Sequence, residues 1–243
     1  MSSYHDTENA RPSRWPLITC GITSLAFGLF SYVLYPAVST PRDVSRFINV
    51  SNELKQIALA LHYYHDTFGA FPPAYLADEN GKPMHSWRVL ILPFLEEHAL
   101  YDRYDFSQPW DGPENLELLP ELPECYEDPR LETDDPGLTT CQVIAAPGAV
   151  FDPEFGPVKF PDITDGTPNT ILVIENLGRP VPWTKPVDMN WDDVAAGVPL
   201  YNAPRDIVVV VMVDGSVRRI QKEDLSLLKS AATRGGGEVV PSR

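Results

Sequence analysis

The 243-residue chain has only three cysteines, and Cys20 lies in an apolar run well apart from Cys125 and Cys141. Three thiols exclude a disulfide framework; they leave one pairing open, Cys125 with Cys141, in an oxidising compartment. Positive charge is scarce as well: 19 Lys and Arg stand against 34 Asp and Glu, a formal net charge of −15, and no basic cluster offsets the deficit. Repulsion from phosphate therefore argues against nucleic acid, and against an anionic membrane surface, as partner of the polar part of the chain. Glycine is outnumbered by proline, 15 to 25. Most prolines fall between Pro72 and Pro204, where a fixed φ and a missing N–H donor rule out long helices and central strands. That region is loop-rich, yet its many aromatics, from Tyr75 to Trp191, call for burial and exclude disorder. No Gly-x-Ser-x-Gly elbow, phosphate loop, dinucleotide fingerprint or zinc-ribbon spacing occurs, so the sequence points away from an enzyme.

The most consequential absence is charge between Trp15 and Val38, where no residue is ionisable to a formal charge at neutral pH. As a helix this run reaches roughly 36 Å, enough to cross the hydrocarbon core of a bilayer. The sequence predicts a transmembrane anchor over 15–38 that includes Trp15, Pro16, Leu17, Phe27, Phe30 and Pro36. Residues 1–14 are polar, with Arg11 and Arg14 at the cytoplasmic flank, although Arg42 and Arg46 follow the run. A cleaved secretory signal ending near Ala37-Val38-Ser39 is the alternative.

From Val44 to Phe68 apolar residues recur at three- and four-residue spacing, and Phe47, Leu54, Ile57 and Leu61 define a helix face that must be covered. Gly69 with Pro72 stops this helix. A second helix is predicted over about 86–104, with Trp87, Leu90, Ile91, Phe94, Leu95, His98 and Tyr101 on one face and Pro93 kinking or splitting it. A short helix is expected at 114–119. Strands are predicted at 142–145, 170–175, 207–213 and 216–220, the last two joined by Asp214-Gly215 as a hairpin. Because 208–213 is apolar throughout, it should be a central strand covered on both faces, by the long helix on one. A closing helix over 222–232 and a loose tail over 233–243 complete the chain. The expected fold class is α+β: an N-terminal helix packed on a small antiparallel sheet, with residues 39–232 forming one head.

Two groups of residues invite a ligand. Asp162, Asp165, Thr167 and Asn169 around Gly166 offer oxygen ligands suited to Ca²⁺, or a turn closed by its own Asx hydrogen bonds. His62, His65 and Asp66 share a helix surface at i, i+3 and i+4; packing histidines are the plainer account.

Three ordered stretches, Ser51 to Asp66, Phe71-Pro72-Pro73-Ala74-Tyr75 and His85-Ser86-Trp87-Arg88-Val89-Leu90-Ile91-Leu92-Pro93-Phe94, resemble the bacterial family called domain of unknown function 1559. So do Asp165-Gly166-Thr167-Pro168-Asn169-Thr170, Val181-Pro182-Trp183 and Val213-Asp214-Gly215-Ser216-Val217. Cys125 followed by Asp128-Pro129 also matches. The resemblance implies a pilin-like or pseudopilin-like fold with a prepilin leader and a late His-x9-Asp-Gly signature. Here Arg14 stands where the leader has Gly, Thr19 where it has Glu, and Pro204 where the signature has His. The implied function is a non-catalytic structural or interaction protein of the cell envelope, single-pass in the inner membrane, with a cytoplasmic N-terminus and pilin-like or other envelope proteins as partners. The alternative is an anchored head that binds glycan or Ca²⁺.

Overall fold

The computed structural model describes residues 48–131, 133–196, 207–221 and 224–237. The predicted anchor, with Trp15, Pro16, Leu17, Phe27, Phe30 and Pro36, lies outside the described residues, as do Cys20 and Phe47. Among the described residues no helix is long and apolar enough to cross a membrane.

The first element is helix α1, described over 48–68. Its periodic face is buried as predicted: Leu54, Ile57 and Leu61 are solvent-free, with Val50, Ala58 and Ala60 beside them. Gly69 ends it in the left-handed region, φ +77°, and its N–H donates to the His65 carbonyl at 2.7 Å. A residue without Cβ takes this conformation at no steric cost, and the bond satisfies one of the last carbonyls of the helix.

The main sheet is antiparallel with strand order β4-β5-β7-β8: β4 is Cys141–Gln142, β5 Ile171–Glu175, β7 Ile207–Met212 and β8 Val217–Gln221. β7 lies between two neighbours and alternates strictly. Val209, Val211 and Val213 join the core that holds Leu54, Ile57 and Leu61 of α1, whereas Val208, Val210 and Met212 join a second core with Met189, Val194 and Leu228. The second core includes residues from two short helices, α5 (Trp191–Ala196) and α6 (Leu225–Ala231). An uninterrupted apolar strand is thus explained by cover on both faces.

In β5 the side chains do not alternate simply. Leu172 and Val173 both face the α1 core, while Ile171 and Ile174 face the other. The register slips between Ile171 and Val173, the signature of a bulge that lets two consecutive residues fill one face. The β7–β8 connection turns on Asp214-Gly215 as predicted. The Gly215 N–H donates to the Met212 carbonyl at 2.9 Å, that of Met212 donates to the Ser216 carbonyl at 2.8 Å, and Gly215 has φ +82°. The pattern is a type I turn closed by a left-handed glycine, one of the common short hairpin loops.

The predicted second helix is split, as Pro93 requires: α2 is Trp87–Leu90, a 3-10 turn covers Leu92–Leu95, and α3 is His98–Arg103. Its buried contribution near the end is Leu100, whereas His98 is exposed, a correction of two residues to the predicted face. The short helix α4 spans Pro113–Glu117. One hairpin was not predicted: β1 (Tyr75–Ala77) pairs with β2 (Pro83–Ser86) across the Asp78–Lys82 turn. Its three and four residues, one of them Pro83, are too short to carry a period. β3 (Leu138–Thr139) and β6 (Val181–Pro182) form a third small sheet.

The start of the predicted loose tail is held in place. The Arg234 guanidinium donates to the Ala149 carbonyl at 2.6 Å and to Asp152 at 2.9 Å, and its backbone N–H donates to the Gly148 carbonyl. Three backbone N–H donors and this arginine hold the Asp152 carboxyl down to about 2 against the cost of burial. Residues 238–243 lie outside the described residues.

Candidate functional site

A cluster of ionisable side chains ties the segment after Cys125 to the end of β5. β5 ends in Glu175, which is buried with the rest of the strand. One of its oxygens accepts the Val209 N–H of the adjacent strand at 2.6 Å, and the other accepts from the Arg130 guanidinium. Arg130 also forks onto Asp128, Nε to Oδ1 at 2.9 Å and Nη2 to Oδ2 at 2.7 Å. Asp128 accepts in addition the Arg130 backbone N–H and the Thr140 hydroxyl, so its acceptor capacity is fully used. Glu53 on α1 feels the charges of Asp128, Glu127 and Glu124, offset in part by Arg130. Burial first, and then that repulsion, raise its carboxyl to about 7. Glu175 is raised to about 6, again chiefly by burial. Burial also opposes ionisation of Asp128, but its bonds to Arg130 outweigh it and hold this carboxyl below the ordinary range.

A second buried pair lies nearby. Arg88 is solvent-free; its Nη2 donates to Asp188 at 2.6 Å, its Nε to the Cys141 carbonyl at 2.8 Å, and its Nη1 to the Ser86 hydroxyl at 2.9 Å. Asp188 accepts further bonds from the Trp87 indole and the Val143 N–H, at 3.2 and 2.9 Å. The Tyr126 hydroxyl donates to the Arg88 carbonyl at 2.9 Å. The pair ties α2 to β4 and to the segment before α5.

Neither cluster was singled out by the sequence reading. Glu53 immediately precedes the core residue Leu54, Arg88 sits between Trp87 and Val89, and Glu175 closes an apolar run. A charged residue set within a buried pattern is the signal that could have found all three, since such a group is retained inside only with partners.

The four residues considered as Ca²⁺ ligands each make hydrogen bonds within the protein. Asp162 accepts the Lys159 N–H at 2.8 Å and caps its own short turn. Asp165 is gripped by two successive N–H groups of the chain end, Gly236 at 2.7 Å and Gly237 at 2.8 Å. The Asn169 amide closes back on the Asp165 carbonyl at 3.0 Å, and the Thr167 carbonyl accepts the Asp214 N–H at 3.2 Å. These are the bonds of a closed turn that docks the β7–β8 hairpin and the chain end. Among the described residues no group of three or more His, Cys, Asp or Glu side chains is placed to hold a metal.

Cys125 and Cys141 are both buried free thiols, so the pairing left open by the sequence is not formed in this structure. Burial pushes Cys141 up to about 12 and Cys125 higher still, which leaves both as unreactive packing groups.

His62 and His65 point into the end of the same core. His62 Nε2 lies 2.7 Å from the Val213 carbonyl at the hairpin. The His65 ring packs 4.3 Å from Phe160 and 5.0 Å from Phe71, centroid to centroid, and its Nε2 is buried without a hydrogen-bond partner among the described residues. Burial is the main reason that the His65 pKa is lowered, with His62 and Lys159 acting in the same direction and Asp66 opposing. Because the folded pKa lies below the unfolded one, His65 contributes stability that is present above pH 6.5 and lost as pH falls through the folded value. Replacing His65 with Leu is expected to remove this part of the acid limb, so that urea midpoints measured from pH 7 to pH 5 fall less steeply than those of the parent.

No curated protein and no solved structure matches the chain. A family model does match, over residues 39–129, a span that contains Glu53, Arg88, Cys125 and Asp128 and stops short of Arg130 and Glu175. Its description is protein of unknown function (DUF1559), the same family that the ordered motifs resemble.

Proposed function

We propose that this chain is a non-catalytic, pseudopilin-like structural or interaction protein of the bacterial envelope. It is anchored in the inner membrane by residues 15–38, with the N-terminus cytoplasmic and the head outside. The observation that carries the reading is the division of labour on α1. One face is given wholly to the head's own core, and the opposite face leaves Ile48, Leu59 and Tyr63 exposed. Residues 48, 59 and 63 fall within about 60° of one another at 100° per residue, so they form one stripe. A helix seated on a small antiparallel sheet, following an uncharged apolar run in the sequence, supports the pilin-like comparison. The buried carboxylates each have structural employment within the head, and this favours a structural role over catalysis.

The test is a photo-reactive amino acid placed at Leu59 or, as control, at Leu61 in the full-length chain expressed in a bacterium of the native type. The chain should sediment with inner membrane and resist alkaline carbonate extraction. Leu59 should cross-link to a second membrane-anchored protein or to another copy, whereas Leu61 should cross-link only within its own chain. Recovery in the soluble fraction, or identical adducts from both positions, would overturn the proposal.

A further inference from the structure

An asparagine amide is most open to attack by the next backbone nitrogen when glycine follows it, because glycine has no Cβ to crowd the ring that forms. Asn80 is the one asparagine in the chain followed by glycine. It stands at the tip of the β1–β2 hairpin, where Ala77 and every residue from Glu79 to Lys82 are exposed. Gly81 has φ +80°, and beyond its chain neighbours no atom lies within 4 Å of the place a Cβ would take. The Asn80 backbone N–H donates to Asp78 Oδ1 at 2.9 Å, whereas its side-chain amide makes no hydrogen bond among the described residues.

We propose that Asn80 is a site of self-modification in the folded protein, converting to aspartate and isoaspartate through a cyclic imide with Gly81. The Gly81 nitrogen gives up its proton and bonds to Asn80 Cγ, and the Cγ–Nδ2 bond breaks to release ammonia. Water then opens the ring. Breaking the new N–Cγ bond leaves aspartate in an intact backbone, whereas breaking the original peptide C–N bond routes the chain through Cγ and leaves isoaspartate. Nothing is oxidised or reduced, and water is the one co-reactant.

Asp78 restrains the step. Its carbonyl accepts the N–H of the attacking nitrogen, Gly81, at 3.0 Å, and its own N–H donates to the Lys82 carbonyl at 2.9 Å. Its Oδ1 accepts the Lys82 N–H at 2.8 Å in addition to that of Asn80. These bonds lie at an exposed tip, where local opening costs little. Either product sets a third carboxylate beside Asp78 and Glu79. Isoaspartate also adds a backbone atom between Asp78 and Lys82, so the bonds that close the turn cannot all be kept.

The test incubates the full-length chain in detergent at pH 8 and 37 °C for two weeks, then digests it and measures the mass of each asparagine peptide. Methyl transfer by a protein isoaspartyl methyltransferase marks the second product. Asn80 should convert ahead of every other asparagine, and the corresponding peptide of Asn80→Gln, which must close a larger and slower ring, should stay unchanged and unlabelled. Asp78→Ala should speed conversion by about threefold or more, the factor that loss of modest turn hydrogen bonds implies. A sample unfolded in urea sets the upper limit of the rate. If Asn80 converts in urea but stays intact in the folded chain, the hairpin protects it and the proposal is overturned. An unchanged rate in Asp78→Ala would overturn the restraint assigned to Asp78.

Discussion

Replacing Arg88 with Met should cost about 3–5 kcal/mol of stability at pH 7, measured as the shift in urea unfolding free energy. The side chain is solvent-free, and the Asp188 side chain is 3% exposed. Removing the guanidinium leaves a buried carboxylate held only by the Trp87 indole and the Val143 N–H. Burial already raises the Asp188 pKa against the pull of Arg88, and without that pull it rises further. The loss should consequently shrink on acidification, because a group whose folded pKa is raised contributes stability that is lost as pH rises. Adding Asp188→Asn, which keeps an acceptor and removes the charge, should recover more than half of the loss. A single variant as stable as the parent, or a double variant no better than the single one, would show that this pair does not hold α2 to β4.

Helix α1 and the β7–β8 hairpin were legible in the sequence because each has a strong local rule behind it. Leu54, Ile57 and Leu61 recur at the helical period, and Asp214-Gly215 interrupts two apolar strands. The unbroken apolar run 208–213 even announced its two covered faces, which the structure supplies through α1 on one side and α5 with α6 on the other. The charged cluster was not legible because it is assembled by distance in sequence: Asp128 and Arg130 come from one segment and Glu175 from another, and no spacing relates the two. The Asp162–Asn169 loop was legible only as a composition. Its composition fits an oxygen-ligand site, but the backbone N–H groups that occupy Asp165 come from Gly236 and Gly237, some seventy residues later. The same contact explains why Arg234 to Gly237, glycine-rich and so expected to fray, are instead held.

Leu54→Asp should unfold the head or cost at least about 4 kcal/mol, whereas Leu59→Asp should change stability by less than about 0.5 kcal/mol. The two residues are five positions apart on one helix and chemically identical, yet Leu54 is 0% exposed and Leu59 is 51% exposed. An aspartate at 54 would enter the core beside Val209 and Val211 with no donor provided for it, so it must either carry a buried charge or expel the helix. At 59 the carboxylate meets water. The pair of variants therefore separates two meanings of an apolar helix face that sequence alone merges: the stripe through Leu54 and Leu61 belongs to the head's own core, and the contact proposed above for α1 would use Ile48, Leu59 and Tyr63. Urea titration and cross-linking on the same samples make the distinction. Leu59→Asp should leave the unfolding midpoint in place while abolishing the adducts formed from a photo-reactive group at Tyr63. If it left those adducts intact, the exposed stripe would not be the interface; if it lowered the midpoint as Leu54→Asp does, α1 would be buried on both faces.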